Sequence, residues 1–132
     1  MKDIVAIPSV PASWGEVIDK ITILEIKVAH LANQEARANA AHELELLRGI
    51  AAPALGREGI AALAAKLKAL NQALWETEDR IRDHERAGNF DSAFIALARS
   101  IYRTNDERGR VKREICLALG SGLIEEKGYT SY

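Results

Sequence analysis

The stretch IAALAAKLKALNQALWETEDRIRDHERAGN, residues 60–89, decides the fold of this chain. Its apolar side chains recur at alternating steps of three and four residues, the pattern of a helix that packs along one seam. Gly88-Asn89 ends the pattern in the manner of a glycine helix cap. We therefore predict a helix over about residues 58–87, with this stripe: Ile60, Leu63, Leu67, Leu70, Leu74, Thr77, Ile81 and His84.

A second stripe with the same spacing follows at once. It starts after Asp91 or Ser92 and ends before Gly120-Ser121-Gly122, so we predict a continuous helix to about Leu119. Two long helices with apolar seams and a short link predict an antiparallel helical hairpin. The stripe of this second helix consists of Phe94, Leu97, Ile101, Thr104, Arg108, Val111, Ile115 and Ala118.

The stretch GEVIDKITILEIK, residues 15–27, predicts a helix over about residues 14–32 that is apolar on several sides. Ser13 and Glu16 have the spacing of a capping box at its start. One stripe runs from Val17 to Leu31, while Ile18 and Ile23 point elsewhere on the helical wheel. Such a helix is usually central, so we expect it to pack on two sides, within the domain or against a second copy.

A further helix is predicted over about residues 35–50, separated from the first by a weak point at Asn33-Gln34. One unbroken helix is the alternative. Pro53, Gly56 and Gly59 then predict a loop. The fold class is therefore all-α, an antiparallel bundle of four to five helices built around the long hairpin. We expect one domain over residues 1–132, with an extended arm at 1–12 and an irregular tail at 123–132.

Composition narrows the class of protein. The 132 residues are 48% apolar and 28% charged, which is typical of a globular chain. A net charge of −1, without a basic tract, argues against nucleic-acid binding. The single cysteine, Cys116, fits a reducing cytoplasm. No apolar run approaches the ~20 residues of a membrane span, so no membrane insertion is expected.

Polar side chains interrupt both hairpin stripes at related heights. With the turn near residues 89–90, Arg108 lies about level with Asn71, and Thr104 with Trp75. An arginine in a core stripe is costly unless it is paired. Glu78 is the partner expected across the hairpin, unless Arg82 pairs with Glu78 within their own helix. Asp19 or Glu25 could reach the same layer from the first helix. Two interpretations stay open: the layer only sets the helix register, or it lines a ligand pocket.

Motifs for catalysis are sparse. The three histidines have no metal-ligand spacing, and no phosphate-binding glycine loop is present. Glu76 and Asp79 form an ExxD pair, which on a bundle helix could hold Mg²⁺ against a substrate phosphate. No ExxE pair accompanies it on the earlier helices. We expect no metal and no cofactor, and we expect Cys116 to be a buried, unreactive thiol.

Several stretches together resemble a family of small bacterial proteins of unknown function. The resemblance implies a helical protein and, loosely, a setting near cell-surface sugar biosynthesis, but no catalytic residue. The stretches that carry it are residues 15–27, 43–47, 74–79, 97–102, Asn105-Asp106, Gly120-Ser121, residues 125–127 and Tyr129.

Two functions follow as hypotheses. The first is a non-enzymatic module that binds itself, as a homodimer, or another protein partner. The alternative is a protein or enzyme acting on an anionic ligand, a phosphate or sugar nucleotide, possibly with Mg²⁺, between the long helices. The candidate ligand-binding residues are Asp19, Glu25, Asn71, Trp75, Glu78, Asp79, Arg99, Asn105, Asp106 and Arg108.

Overall fold

A computed structural model of the chain describes residues 5–132, which form four α-helices and no β-strand. The helices are α1 (Trp14–His30), α2 (Gln34–Leu55), α3 (Ile60–Ala87) and α4 (Ser92–Leu119). The expected all-α class and the helical hairpin are confirmed. Residues 5–13 and 123–132 have no regular secondary structure, and residues 1–4 of the expected arm lie outside the described part.

Local chemistry sets most helix ends. The side chains of Ser13, Asn33 and Asp91 accept hydrogen bonds from the first-turn N–H groups of α1, α2 and α4. These bonds satisfy donors that have no partner inside the helix. Gly88 and Gly120 close α3 and α4 in the left-handed conformation that glycine tolerates best. Asn33 thus separates α1 from α2, and the prediction of two helices is confirmed.

Helix α2 corrects one prediction. Pro53 was expected to mark a loop, but α2 continues to Leu55 with Pro53 inside its last turn. A proline there removes only one hydrogen bond of the helix, to the carbonyl four residues earlier. The neighbouring Ala51 and Ala54 are both buried, and this burial favours continuation of the helix past the proline.

Helix α1 is the centre of the bundle and contacts α2, α3 and α4. Ile18 packs with Ile60, Leu67 and Ile115 of the hairpin helices. Ile21, Leu24 and neighbouring side chains pack against α2 instead. The apolar surface on several sides of α1 is therefore covered within the chain, which decides between the two alternatives left open by the sequence.

The outer part of the hairpin extends past this core. We call residues 72–107 the hairpin arm. Within the arm, Leu97 is the one buried residue, at 7% exposure, while the seam positions Leu74, Ile81, Phe94 and Ile101 are only half-buried. The arm is thus a two-helix structure whose apolar seam stays partly open to solvent.

Candidate functional site

Asp19 is the centre of a polar cluster that joins α1, α3 and α4. Its side chain is nearly inaccessible, since the residue is 1% exposed. Arg108 Nε donates to Asp19 Oδ1 at 2.9 Å, and Arg108 Nη2 donates to Oδ2. Asn71 Nδ2 also donates to Oδ1, at 2.8 Å. The carboxylate therefore receives a two-pronged arginine contact together with an amide hydrogen bond, the arrangement that stabilises a buried charge best.

Further hydrogen bonds connect the residues of this cluster. Asn71 Nδ2 donates to Thr22 Oγ1 at 2.9 Å, and Thr22 Oγ1 donates to the Asp19 carbonyl at 2.8 Å. Arg108 Nη1 reaches Asn105 Oδ1 at 3.4 Å. We call these five residues the polar centre. Throughout residues 5–132, every buried side-chain nitrogen and oxygen has a hydrogen-bond partner.

Arg108 keeps its positive charge in the polar centre. The hydrogen bonds from Arg108 to Asp19 raise the pKa of the guanidinium above its ordinary value, although burial works in the opposite direction. Arginine is already charged throughout the physiological range. Arg108 therefore stays charged beside Asp19, and removing either partner would leave the other buried without its main contact.

Lys112 forms a second buried ion group one turn further along α4. Lys112 Nζ lies 2.8 Å from Glu16 Oε2 and 2.9 Å from Glu125 Oε2. Burial lowers the pKa of Lys112, but the hydrogen bonds to the two carboxylates outweigh it and raise the pKa above its ordinary value. The same contact, with help from Lys127, lowers the pKa of Glu125 to about 2. A lysine that is 7% exposed is therefore held charged by one helix and by the segment after α4.

Helices α1 and α4 approach closely beside this group because of Gly15. Its N–H donates to Cys116 Sγ at 3.3 Å. A Cβ at position 15 would lie 2.5 Å from the Lys112 carbonyl oxygen and 3.0 Å from Cys116 Sγ. Glycine is thus required for the helix contact, and Cys116 is buried there as the sequence predicted.

Two cavities adjoin the polar centre. The smaller is a cleft of about 390 Å³ between the end of α1 and the hairpin arm. The larger is a groove of about 1210 Å³ between α4 and residues 124–132. Arg108 lines both. The cleft residues are Ile23, Ile26, Asn71, Leu74, Trp75, Glu78, Asp79, Arg82 and Arg108.

The structure brings most of the predicted site residues to these two cavities. Asn71, Trp75, Glu78, Asp79 and Arg108 line the cleft, and Asn105, Asp106 and Arg108 line the groove. Asp19 lines neither cavity. It is buried beneath Arg108, which lines both.

Two predicted residues lie elsewhere. Glu25 pairs with Arg48 at 2.9 Å and approaches Lys68 at 3.8 Å, apart from the polar centre. Arg99 is exposed on α4 and belongs to neither lining.

The structure decides between the partners that the sequence offered for Arg108. Arg108 pairs with Asp19 of α1 and not with Glu78 across the hairpin. Glu78 instead contacts Arg82 one turn along the same helix, at 3.4 Å. A pair four residues apart on one helix needs no tertiary contact, whereas Asp19 is brought to Arg108 by the packing of α1. Four residues of these contacts were not among the candidate site residues: Thr22, Glu16, Lys112 and Glu125. Lys112 follows Arg108 by four residues on the same helix face, which is the signal that could have found it.

The chemistry of the site is that of a neutralised charge cluster. Arg82, Arg108 and Lys112 each contact at least one carboxylate, so an anion would have to displace or supplement an existing partner. In the portion of the chain that the structure covers, no three His, Cys, Asp or Glu side chains are grouped to hold a metal ion. Among the helices of residues 5–132, none combines the length and apolar character needed to cross a bilayer.

These features define a class: an all-α protein in which a central helix contributes a buried aspartate to a helical hairpin. The chain belongs to DUF6165, a family of unknown function, which its residues 9–132 match. Comparison with curated proteins gives no match, and comparison with solved structures gives none either.

Proposed function

We propose that this protein is a non-enzymatic, single-domain helical module that associates with a second copy of itself through the hairpin arm. The partly open seam of the arm is the observation that carries this proposal. A two-helix hairpin covers its apolar seam from one side only, and a second hairpin completes a four-helix bundle. The cytoplasmic and bacterial setting expected from the sequence is part of the same proposal.

Exposed apolar side chains on the arm support it further. Ile95 is 55% exposed, and Tyr102 lies seven residues later on the same face of α4. Phe90 is exposed at the tip of the arm and packs edge-on against Phe94 at 5.1 Å between ring centroids. A twofold interface uses the same surface on both copies, and the heptad pattern on both hairpin helices suits that geometry.

Size-exclusion chromatography with light scattering tests the proposal. We expect a mass about twice that of the 14.5 kDa chain. Replacing Ile95 by Glu should shift the mass to that of the monomer, because a buried carboxylate would lack a partner. Ile50→Glu is the matched control: Ile50 is 60% exposed on α2, outside the arm, and its replacement should leave the mass unchanged. A monomer for the unmodified chain at high concentration would contradict the proposal.

A second candidate function is binding of an anionic small molecule, a phosphate or a sugar nucleotide, in the cleft. The cleft supports it, since about 390 Å³ lies within the usual size range of small-molecule sites and Trp75 offers an aromatic wall. Arg108 is occupied by Asp19, so Arg82 at the rim is the available cation. Arg82 is largely exposed and its partner Glu78 is half-exposed, so this pair can be displaced at little cost.

Thermal-shift measurements test this candidate. Phosphate, nucleotides and sugar nucleotides, with and without Mg²⁺, should raise the melting temperature if they bind the folded chain. Arg82→Ala should abolish the increase, while Arg113→Ala on the other side of α4 should not. If none of these compounds changes the melting temperature, the candidate has no support.

A further inference from the structure

Residues 121–132 run back along α4 without regular secondary structure, and we call them the strap. Polar contacts hold the strap in place. Glu125 contacts Lys112 at 2.9 Å, and Glu126 contacts Arg113 at 3.1 Å. Near the end, Tyr132 Oη donates to Asp106 Oδ2 at 2.5 Å. The strap is therefore attached to α4 at three points along its length.

Two of the three attachments are weak. Leu123, Tyr129 and Tyr132 are exposed, so little apolar surface is buried beneath the strap. The Glu126–Arg113 pair and the Tyr132 contact are exposed and contribute little to stability, because water competes for both partners and salt screens the ion pair. Glu125 is the stronger attachment, since its partner Lys112 is buried. Gly120 and Gly122 flank the first residue of the strap and give the backbone freedom to turn there.

The strap covers a cation that would otherwise face solvent. Lys112 is buried because Glu16 packs on one side of its ammonium group and Glu125 on the other. Glu125 is itself 43% exposed at its side chain, so it covers Lys112 from the outside. With the strap removed, Lys112 would keep Glu16 alone and would lie in an open groove beside Arg108 and Asn105.

We propose that the strap is detachable and that its Glu125 occupies the position of an external oxyanion. When the strap lifts, a phosphate or carboxylate group binds Lys112 in place of the glutamate. The groove already holds the Glu125 carboxylate at this point, so its space and charge suit an anionic oxygen. This inference concerns Lys112, which lies outside the hairpin arm, although the end of the strap reaches the arm at Tyr102 and Asp106.

Amine acetylation of the full chain, followed by mass spectrometry, tests the proposal. Glu125→Gln should speed the labelling of Lys112 several-fold, towards the rate of the exposed Lys20. Glu126→Gln removes the exposed pair of the strap with Arg113 and leaves the Glu125–Lys112 contact intact, so it should raise the rate much less than Glu125→Gln does. In the Glu125→Gln variant, inorganic phosphate or acetate should slow the labelling more than sodium chloride of equal ionic strength does.

Backbone ¹⁵N relaxation provides a second measurement of the strap itself. The heteronuclear NOE of residues 123–132 should resemble that of α4 in the unmodified chain and should fall in Glu125→Gln. Faster labelling with an unchanged NOE would refute detachment, and so would unchanged labelling. Labelling that phosphate and acetate slow no more than chloride does would refute the oxyanion site.

Discussion

Replacing Arg108 by alanine should be among the most destabilising single changes in this protein. The substitution removes both arginine contacts to Asp19. Among residues 5–132, Asn71 is then the one side-chain donor left to the buried carboxylate. Breaking a buried ion pair by removing one partner costs ~3–5 kcal/mol. Since a domain has ~5–15 kcal/mol of unfolding free energy, the loss is a substantial fraction of the total.

The expected change in melting temperature follows from the chain length. With an unfolding entropy of ~2.1 cal/mol/K per residue, 132 residues convert this loss into a decrease of ~11–18 °C. Differential scanning calorimetry and urea unfolding measure it. Arg113→Ala is the matched control, because Arg113 lies on the same helix but pairs with Glu126 at an exposed site. Its effect should stay within about 0.5 kcal/mol.

A double variant separates charge burial from lost packing. Adding Asp19→Asn to Arg108→Ala removes the unpaired charge and keeps the shape of the side chain, so the double variant should be more stable than Arg108→Ala alone. A loss below about 1 kcal/mol for Arg108→Ala would refute the reasoning, since the pair would then contribute no more than a surface ion pair.

Three further predictions concern helix contacts and pH. Gly15→Ala should lower stability by ~1–3 kcal/mol, because the new Cβ would meet the Lys112 carbonyl. Gly49→Ala is the control: Gly49 has open space around it, so its replacement should be neutral or stabilising. Thermal unfolding compares the two variants. Ser13→Ala should cost ~0.5–2 kcal/mol in the same assay, as its hydroxyl caps α1. The low pKa of Glu125 means that its ion pair with Lys112 is fully formed above pH 4.5 and is lost as pH falls through about 2. An NMR titration of the Glu125 carboxyl group measures this pKa. A midpoint near 4.5 would contradict the contact with Lys112.

Residues close in sequence carried the predictions that proved right. The stripes of α3 and α4, the Gly88 cap and the short link predicted the hairpin, because spacing along one helix and turn chemistry are local properties. The turn position also placed Asn71 level with Arg108, and both contact Asp19 in the structure. A continuous helix rises by a constant distance per residue, so a known turn sets the level of every residue on both hairpin helices.

Tertiary structure alone decided which groups pair and which surfaces are covered. Glu78 and Asp19 were both eligible partners for Arg108, and the choice depended on how α1 packs against the hairpin. The position of the strap could not be predicted from the sequence either. Residues 121–132 have no periodicity, and contacts to the preceding helix α4 hold them in place. The sequence by itself therefore determined the helices and their register, through interactions of short range. Only packing decided the buried pair and the covered lysine, because their stability depends on desolvation by distant parts of the chain.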